Sequence, residues 1–239
     1  MFVRITARWW HTLRRFFTEW SLTVAVGVAA LLACAKIGED VFSHETGTFD
    51  GVIQRWVEAH QNPGIAYVFL AITYAGSVGV TLATALGAAV WLWRERGRRV
   101  AASSLVAPAV ATALFIGIKR LFARARPPAI GHLVLGTYAF PSGHATASTA
   151  VWCTLAYISW REGLASRRQA IWIAALLPLL VGLSRLYLDV HWATDVLGGW
   201  SLGLLIAVMG IALYDRGRRR HATLDQPPHA DVAPSATTA

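Results

Sequence analysis

Residues 100–128, VAASSLVAPAVATALFIGIKRLFARARPP, hold an uncharged run from Val100 to Ile118 that ends on Lys119, Arg120, Arg124 and Arg126 and closes with Pro127-Pro128. An α-helix rises about 1.5 Å per residue, so about 20 apolar residues cross the hydrocarbon of a bilayer. The run is long enough for one span when its terminal cations snorkel towards water. Working outward, similar runs recur at about 20–37, 66–93, 145–160, 170–183 and 192–214. The first and fifth are short and lean on the same allowance. The second is long and contains Gly76 and Gly79, which predicts a broken or interfacial segment within it. The expected fold is therefore all-α, a polytopic membrane helix bundle with six transmembrane spans. Five spans is the competing count.

Composition agrees. Of 239 residues, 55% are hydrophobic and only 15% charged, with a mean hydropathy of +0.46. A soluble domain of this size needs more polar surface. The net charge of +9 comes mostly from short basic clusters between apolar runs, such as Arg94-Glu95-Arg96-Gly97-Arg98-Arg99. That is the pattern of cytoplasmic membrane loops, and no nucleic-acid partner is expected. Cys34 and Cys153 lie inside apolar runs and read as small core residues. No CxxC or HExxH spacing occurs, and neither a metal nor a cofactor is expected.

The loops set an orientation. Arg4, Arg8, Arg14 and Arg15 precede the first run, and Arg94 to Arg99 separate the second from the third. Arg161, Arg167 and Arg168 follow the fourth, and Arg216 to Arg220 follow the sixth. With six spans all four clusters fall on one side, which places both termini in the cytoplasm of a cell inner (plasma) membrane protein. Loop 38–62, with Glu39, Asp40, Glu45, Asp50 and Glu58, then lies outside. Lys119, Arg120, Arg124 and Arg126 also lie outside, against the charge bias, and a bound anion would explain them. Trp20, Trp91, Trp93, Trp160 and Trp172 fall at inner ends and Trp192 at an outer end, as an aromatic belt requires.

Residues 1–19 place Phe2, Ile5, Trp9, Leu13 and Phe16 on one helical face, with Trp20 continuing it, and read as an interfacial amphipathic helix. A signal peptide ending near Ala33-Cys34-Ala35 is the rival reading, and the long aromatic n-region speaks against it. Residues 20–215 form the expected membrane domain. Residues 216–239 read as a disordered cytoplasmic tail.

Chemistry-bearing residues gather at three places. His191 and Asp195 are four apart at the start of the last run, so on a helix they share a face. A carboxylate on one ring nitrogen fixes the tautomer and leaves the other nitrogen free as nucleophile or base. A His–Asp cap on a helix end is the competing reading. Pro141-Ser142-Gly143-His144 opens the fourth run. Ser142 is a good N-cap, Gly143 allows close backbone approach, and the unpaired amides favour an anion beneath His144. The same tetrapeptide is also ordinary turn chemistry. Lys119 and Arg126 are seven apart, two turns of a helix that Pro127-Pro128 would stop, and Arg185 ends the fifth run. Arg120 and Arg124 read as headgroup contacts. Asp189 could pair with Arg185. Three cations around one anion would neutralise charge on a transferring phosphoryl group.

Taken together, KxxxxxxRP, PSGH and SRxxxxxHxxxD over residues 119–195 closely resemble the signature motifs of the type 2 phosphatidic acid phosphatase superfamily of membrane lipid phosphatases. The amphipathic stretch 49–57 and the six-span layout extend the similarity. The resemblance implies that His191 attacks phosphorus and forms a phosphohistidine, with Asp195 orienting it. It implies that His144 protonates the leaving oxygen and then activates water. Lys119, Arg126 and Arg185, with Ser142 and the Gly143 amide, would hold the phosphate oxygens, without a metal, at the outer face. The expected partners are a lipid phosphate substrate and membrane lipids. Undecaprenyl diphosphate is the first candidate, followed by phosphatidate, phosphatidylglycerol phosphate and diacylglycerol diphosphate. The alternatives are a lipid phosphotransferase using the same phosphohistidine and a non-catalytic phospholipid binder or transporter. Oligomeric state is left open.

Overall fold

The computed structural model describes residues 2–128 and 137–224, with side chains described for 22–128 and 137–220. All regular structure among them is helical. The elements are α1 (Phe2–Phe42), α2 (Gly47–Ala59), α3 (Pro63–Thr73), a 3-10 turn (Tyr74–Gly76), α4 (Val78–Arg96), α5 (Arg98–Phe122), α6 (Gly143–Arg161), α7 (Arg167–Tyr187) and α8 (Ala193–Leu224).

Local chemistry explains where the helices start and stop. Asn62 accepts from the Gly64 and Ile65 amides at the head of α3, and Pro63 sits at the first helical position, where its missing N–H costs nothing. Ser166 and Gln169 form a reciprocal capping box at the head of α7. The second apolar run is broken as expected. The 3-10 turn and Ser77, which caps α4, divide α3 from α4, and the two helices meet at a 45° bend.

Among the described residues four helices are long and apolar enough to cross a membrane: Leu22–Phe42 within α1, α5, α7 and the Ala193–Arg220 part of α8. The bent α3–α4 pair makes five. The remaining run predicted from sequence is α6, and its character differs for a physical reason. It is enclosed by protein, with Thr146, Ser148, Thr149 and Thr154 buried along it. Their hydroxyls donate to backbone carbonyls three or four residues earlier at 2.7–3.2 Å, so no polar group is stranded. A helix that meets neighbours rather than lipid has no need of an apolar surface.

α6 and α8 approach closely because Gly199 and Gly203 face α6. A methyl group on Gly203 would lie 2.6 Å from the Thr146 carbonyl oxygen and from the Thr149 Cβ. On Gly199 it would meet the Ser142 carbonyl oxygen at 2.8 Å. This small-xxx-small spacing lets two backbones touch, as is common between helices in membranes. Below it, Ala107, Ala111, Ala150, Leu202 and Ile206 fill the centre. Nearer the far end, Leu92, Val100, Val151, Leu155, Ile158 and Tyr214 form a second cluster. There Glu162 accepts from Arg96 at 2.7 Å and from Tyr214, with Arg218 at 3.5 Å, tying α4, α6 and α8 at one end of the bundle. Outward faces are apolar, with Leu82, Leu86 and Val90 exposed on α4 and Leu176, Leu179 and Leu183 on α7.

Two boundaries differ from expectation. α1 is one helix from Phe2 to Phe42 rather than a separate segment followed by a span, since no proline interrupts it. α8 runs to Leu224, nine residues into the stretch expected to be a disordered tail, with Arg218 engaged by Glu162. The amphipathic face expected over residues 1–19, and the tail from 225 onward, lie outside the described residues and side chains.

Gly203→Val is expected to destabilise the detergent-solubilised protein by about 1–3 kcal/mol or more, because backbone atoms of α6 cannot yield as a side chain would. Gly87→Ala, which meets open space within a helix, should leave the melting temperature unchanged or raised. Thermal unfolding of the two variants side by side checks this.

Candidate functional site

The site lies where α5 ends, the 137–144 segment returns, and α7 turns into α8. α5 stops earlier than its sequence suggested, at Phe122, and the Pro127-Pro128 pair is not what stops it. Ala123 adopts a left-handed conformation (φ 43°) and its N–H donates to the Lys119 carbonyl, a helix-ending geometry. Lys119 and Arg126 therefore do not meet as two residues on one helix. Lys119 is in the last turn, while Arg126 lies in the extended stretch beyond it.

Both cations are held by the returning segment. The Arg124 carbonyl accepts from the Ala139 amide at 2.8 Å and pins that segment in place. The Lys119 Nζ donates to the Tyr138 and Ala139 carbonyls. Arg126 donates from Nε to the Thr137 carbonyl at 2.7 Å and from Nη2 to the Thr137 Oγ1 at 2.9 Å. Its Nη1 donates to the Val190 carbonyl and lies 3.2 Å from the His191 Nε2. Backbone carbonyls fix the head groups of both cations without neutralising them.

His191 is buried, just before the first turn of α8. Its Nδ1 lies 3.3 Å from the Asp195 Oδ2, which also accepts from the Trp192 amide at 2.9 Å. The two contacts to the ring define one tautomer. A carboxylate on Nδ1 requires the proton there, and a guanidinium N–H on Nε2 requires that nitrogen to present its lone pair. Burial, and after it Arg126, Arg185, Lys119 and His144, hold the proton affinity of His191 well below the ordinary histidine range. The ring is thus kept neutral, with the lone pair of Nε2 directed at Arg126.

The remaining expected residues join the same place. Arg185 is buried, donating from Nη1 to the Thr73 Oγ1 at 2.8 Å, while its Nε has no partner among the described residues. Ser142 is fully buried and its Oγ caps α6 by accepting from the Ala145 amide at 3.5 Å. Its own amide donates to the Asp195 carbonyl at 2.9 Å, joining the head of α6 to the head of α8. Gly143 lies against the Phe115 ring, where a Cβ would stand 3.3 Å away. His144 is half-buried, and its ring has no hydrogen-bond partner among the described residues. No group of three or more His, Cys, Asp or Glu suited to a metal ion occurs among the described residues. Three cations, the N-terminus of a helix and two imidazoles can bind an anion and exchange a group at its centre.

Sequence reasoning missed one part. Arg124, read as a headgroup contact, is instead turned inward. Its Nη1 donates to the Asp195 Oδ1 at 2.7 Å and to the Thr194 Oγ1 at 2.8 Å. Its Nη2 donates to the Asp50 Oδ2 at 2.7 Å and to the Thr46 Oγ1 at 2.8 Å. The available signal was Asp50 itself. It is seven residues before the buried Val57, on the inward face of α2, where an unpaired acid would be costly. Arg120 is exposed.

Comparison with known proteins gives a consistent set of likenesses. Residues 100–219 match the family described as the PAP2 superfamily. Phosphatidylglycerophosphatase B of Bacillus subtilis (strain 168) is 38% identical over 92 residues, which are 37% of this chain and 45% of that protein, less than half its length. YbjG of Escherichia coli (strain K12), provisionally named an undecaprenyl-diphosphatase, is 31% identical over 155 residues, 57% of this chain and 73% of that protein. The crystal structure of a transmembrane PAP2-type phosphatidylglycerolphosphate phosphatase from Bacillus subtilis superposes with a TM-score of 0.73 at 25% identity. It covers 80% of this chain and 96% of its own.

The depressed proton affinity of His191 has a consequence for stability. In the unfolded chain a histidine takes a proton near pH 6.5, whereas the folded site resists it. The folded state therefore binds fewer protons, and its advantage is complete above that pH and is lost as pH falls through and below it. The melting temperature in detergent should drop between about pH 8 and pH 5, and His191→Asn should flatten that slope. Parallel slopes in the two proteins would contradict the reading.

Proposed function

This chain belongs to the PAP2 superfamily, and from that premise we propose that it is an integral membrane lipid phosphatase working through a phosphohistidine. The observation that carries the reading is the line Asp195–His191–Arg126. A carboxylate lies on one ring nitrogen at 3.3 Å and a phosphate-binding guanidinium lies 3.2 Å from the other.

In the proposed reaction Lys119, Arg126 and Arg185 hold the phosphate oxygens, joined by the Ser142 hydroxyl and the Gly143 amide at the head of α6. The His191 Nε2 attacks phosphorus. The N–P bond forms as the bond to the lipid oxygen breaks, and His144 gives its proton to that oxygen. His144 then takes a proton from water, the hydroxide oxygen bonds to phosphorus, and the N–P bond breaks to release phosphate. In this reading Arg126 follows the equatorial oxygens through both steps, which is where positioned charge has most effect.

Topology supports a lipid substrate. In our reading α1, the α3–α4 pair, α5, α6, α7 and α8 make six crossings of the plasma membrane. Arg94 to Arg99, Arg161 to Arg168 and Arg216 to Arg220 share the cytoplasmic end, to which Glu162 ties Arg96 and Arg218. Both termini lie on that side and the His191 site lies at the outer face. Undecaprenyl diphosphate is the first candidate substrate, with phosphatidate and phosphatidylglycerol phosphate next. The names of the relatives, a phosphatidylglycerophosphatase and an undecaprenyl-diphosphatase, span the same range.

The test is phosphate release by the purified protein in EDTA across lipid mono- and diphosphates. Wild type should release phosphate and His191→Ala, expressed and inserted in the membrane, should not. Activity in His191→Ala equal to wild type would reject the mechanism. His144→Ala should lose about 10²–10⁴-fold, most on poor leaving groups, and should accumulate acid-labile phosphoenzyme under rapid quench. Arg126→Lys should cost at least ten-fold, since one ammonium cannot replace a guanidinium that reaches Thr137, Val190 and His191 together. Wild-type behaviour in Arg126→Lys would reduce Arg126 to a point charge.

A further inference from the structure

Resting on the reading of His191 as nucleophile, we propose that Arg124 and Asp50 are positioning residues for that nucleophile, so that the outer helix α2 is a working part of the site.

Asp195 has two oxygens and two duties. Oδ2 takes the His191 Nδ1 and the Trp192 amide, and Oδ1 takes the Arg124 Nη1 at 2.7 Å. With both oxygens assigned the carboxylate cannot rotate, and the imidazole facing it keeps its tilt and tautomer. A carboxylate on the second ring nitrogen fixes tautomer and ring orientation at metal-bound histidines too, and here Arg124 holds that carboxylate in turn.

Arg124 is in turn held from α2. Its other nitrogen donates to the Asp50 Oδ2 at 2.7 Å and the Thr46 Oγ1 at 2.8 Å. Asp50 also accepts from the Thr194 amide at 2.9 Å and the Thr194 hydroxyl at 2.7 Å. A carboxylate from α2 thus caps the first turn of α8, a helix whose own preceding residue, Trp192, offers no capping oxygen. Asp50 and Asp195 are 2% and 0% exposed, so neither draws on water for its partners. One guanidinium joins them, and the planar fork is what permits it to reach both.

A salt bridge that merely fastens α2 to the bundle is the competing account, and the two differ in what they move. A fastening role lowers stability and leaves the turnover of the folded fraction intact. A positioning role lowers kcat at nearly constant KM, because the phosphate-holding cations remain in place.

Asp50→Asn, which keeps the shape and one acceptor, is the gentler probe, and Arg124→Gln is the stronger. Each is purified, checked for a monodisperse folded peak, and assayed with a soluble-chain lipid phosphate that wild type hydrolyses. We expect kcat to fall roughly 5–50-fold in Asp50→Asn and at least that far in Arg124→Gln, with KM within about three-fold. The double variant should lose clearly less than the product of the two single losses, since Asp50 acts in part through Arg124 and otherwise through Thr194. Arg124→Lys should recover part of kcat. Single-turnover quench should show slowed phosphoenzyme formation in both single variants. Wild-type kcat in folded Asp50→Asn, or additive losses in the double variant, would overturn the proposal. Should Arg124→Gln fail to fold, Asp50→Asn and Arg124→Lys decide it alone. Failure of the nucleophile assignment would be seen separately, as turnover in His191→Ala.

Discussion

A fully buried carboxylate at the head of α8 is the constraint from which much of the structure follows. Asp195 is out of contact with water, and a charge in that position persists only when every lone pair has a donor. Its three donors come from two directions: His191 and Trp192 from the α7–α8 turn, and Arg124 from the stretch after α5. Its backbone carbonyl accepts from Ser142 at the head of α6. The side chain and carbonyl of one residue thus bring the ends of α5, α6 and α8 together, and Asp50 adds α2 through the Arg124 guanidinium. Most of the candidate site residues lie on the elements that complete this network.

The cations in front of His191 are arranged by a different logic. Lys119 and Arg126 are bound to backbone carbonyls of residues 137–139 and 190, and Arg185 to a hydroxyl. Carbonyl oxygens orient a cation without cancelling its charge, so the group retains its attraction for an anion. The Asp50 and Asp195 carboxylates are bound to Arg124, while the Arg126 guanidinium lies on the other ring nitrogen of His191. This division gives the site its direction, and it depends on which arginine faces which way.

The bundle is built to keep that arrangement stiff. α6, which presents Ser142, Gly143 and His144, is its most enclosed helix. Its hydroxyl-bearing residues bond back to their own carbonyls, and Gly199 and Gly203 allow α8 to lie directly on it. Apolar side chains face outward on α4 and α7, while the buried hydroxyls of α6 lie beside apolar clusters within the bundle. At the far end, Glu162 with Arg96, Arg218 and Tyr214 closes the bundle.

The sequence by itself determined the class of fold, the broken second run at Gly76, the cap at Ser142 and the residues gathered around His191. Apolar run length, capping chemistry and motif spacing are local properties, and each can be read without knowing what lies across the bundle. It did not determine the end of α5, because Ala123 in a left-handed turn carries no residue signature, or the continuation of α8, where Arg218 meets Glu162 at the end of α6. Nor could it rank Arg124 above Arg120. Both follow the same apolar run, and only the tertiary structure places Thr46, Asp50 and Asp195 around one of them. Which of two like charges turns inward is decided by partners about 70 or more residues away in the chain, and those partners exist only once the helices have packed.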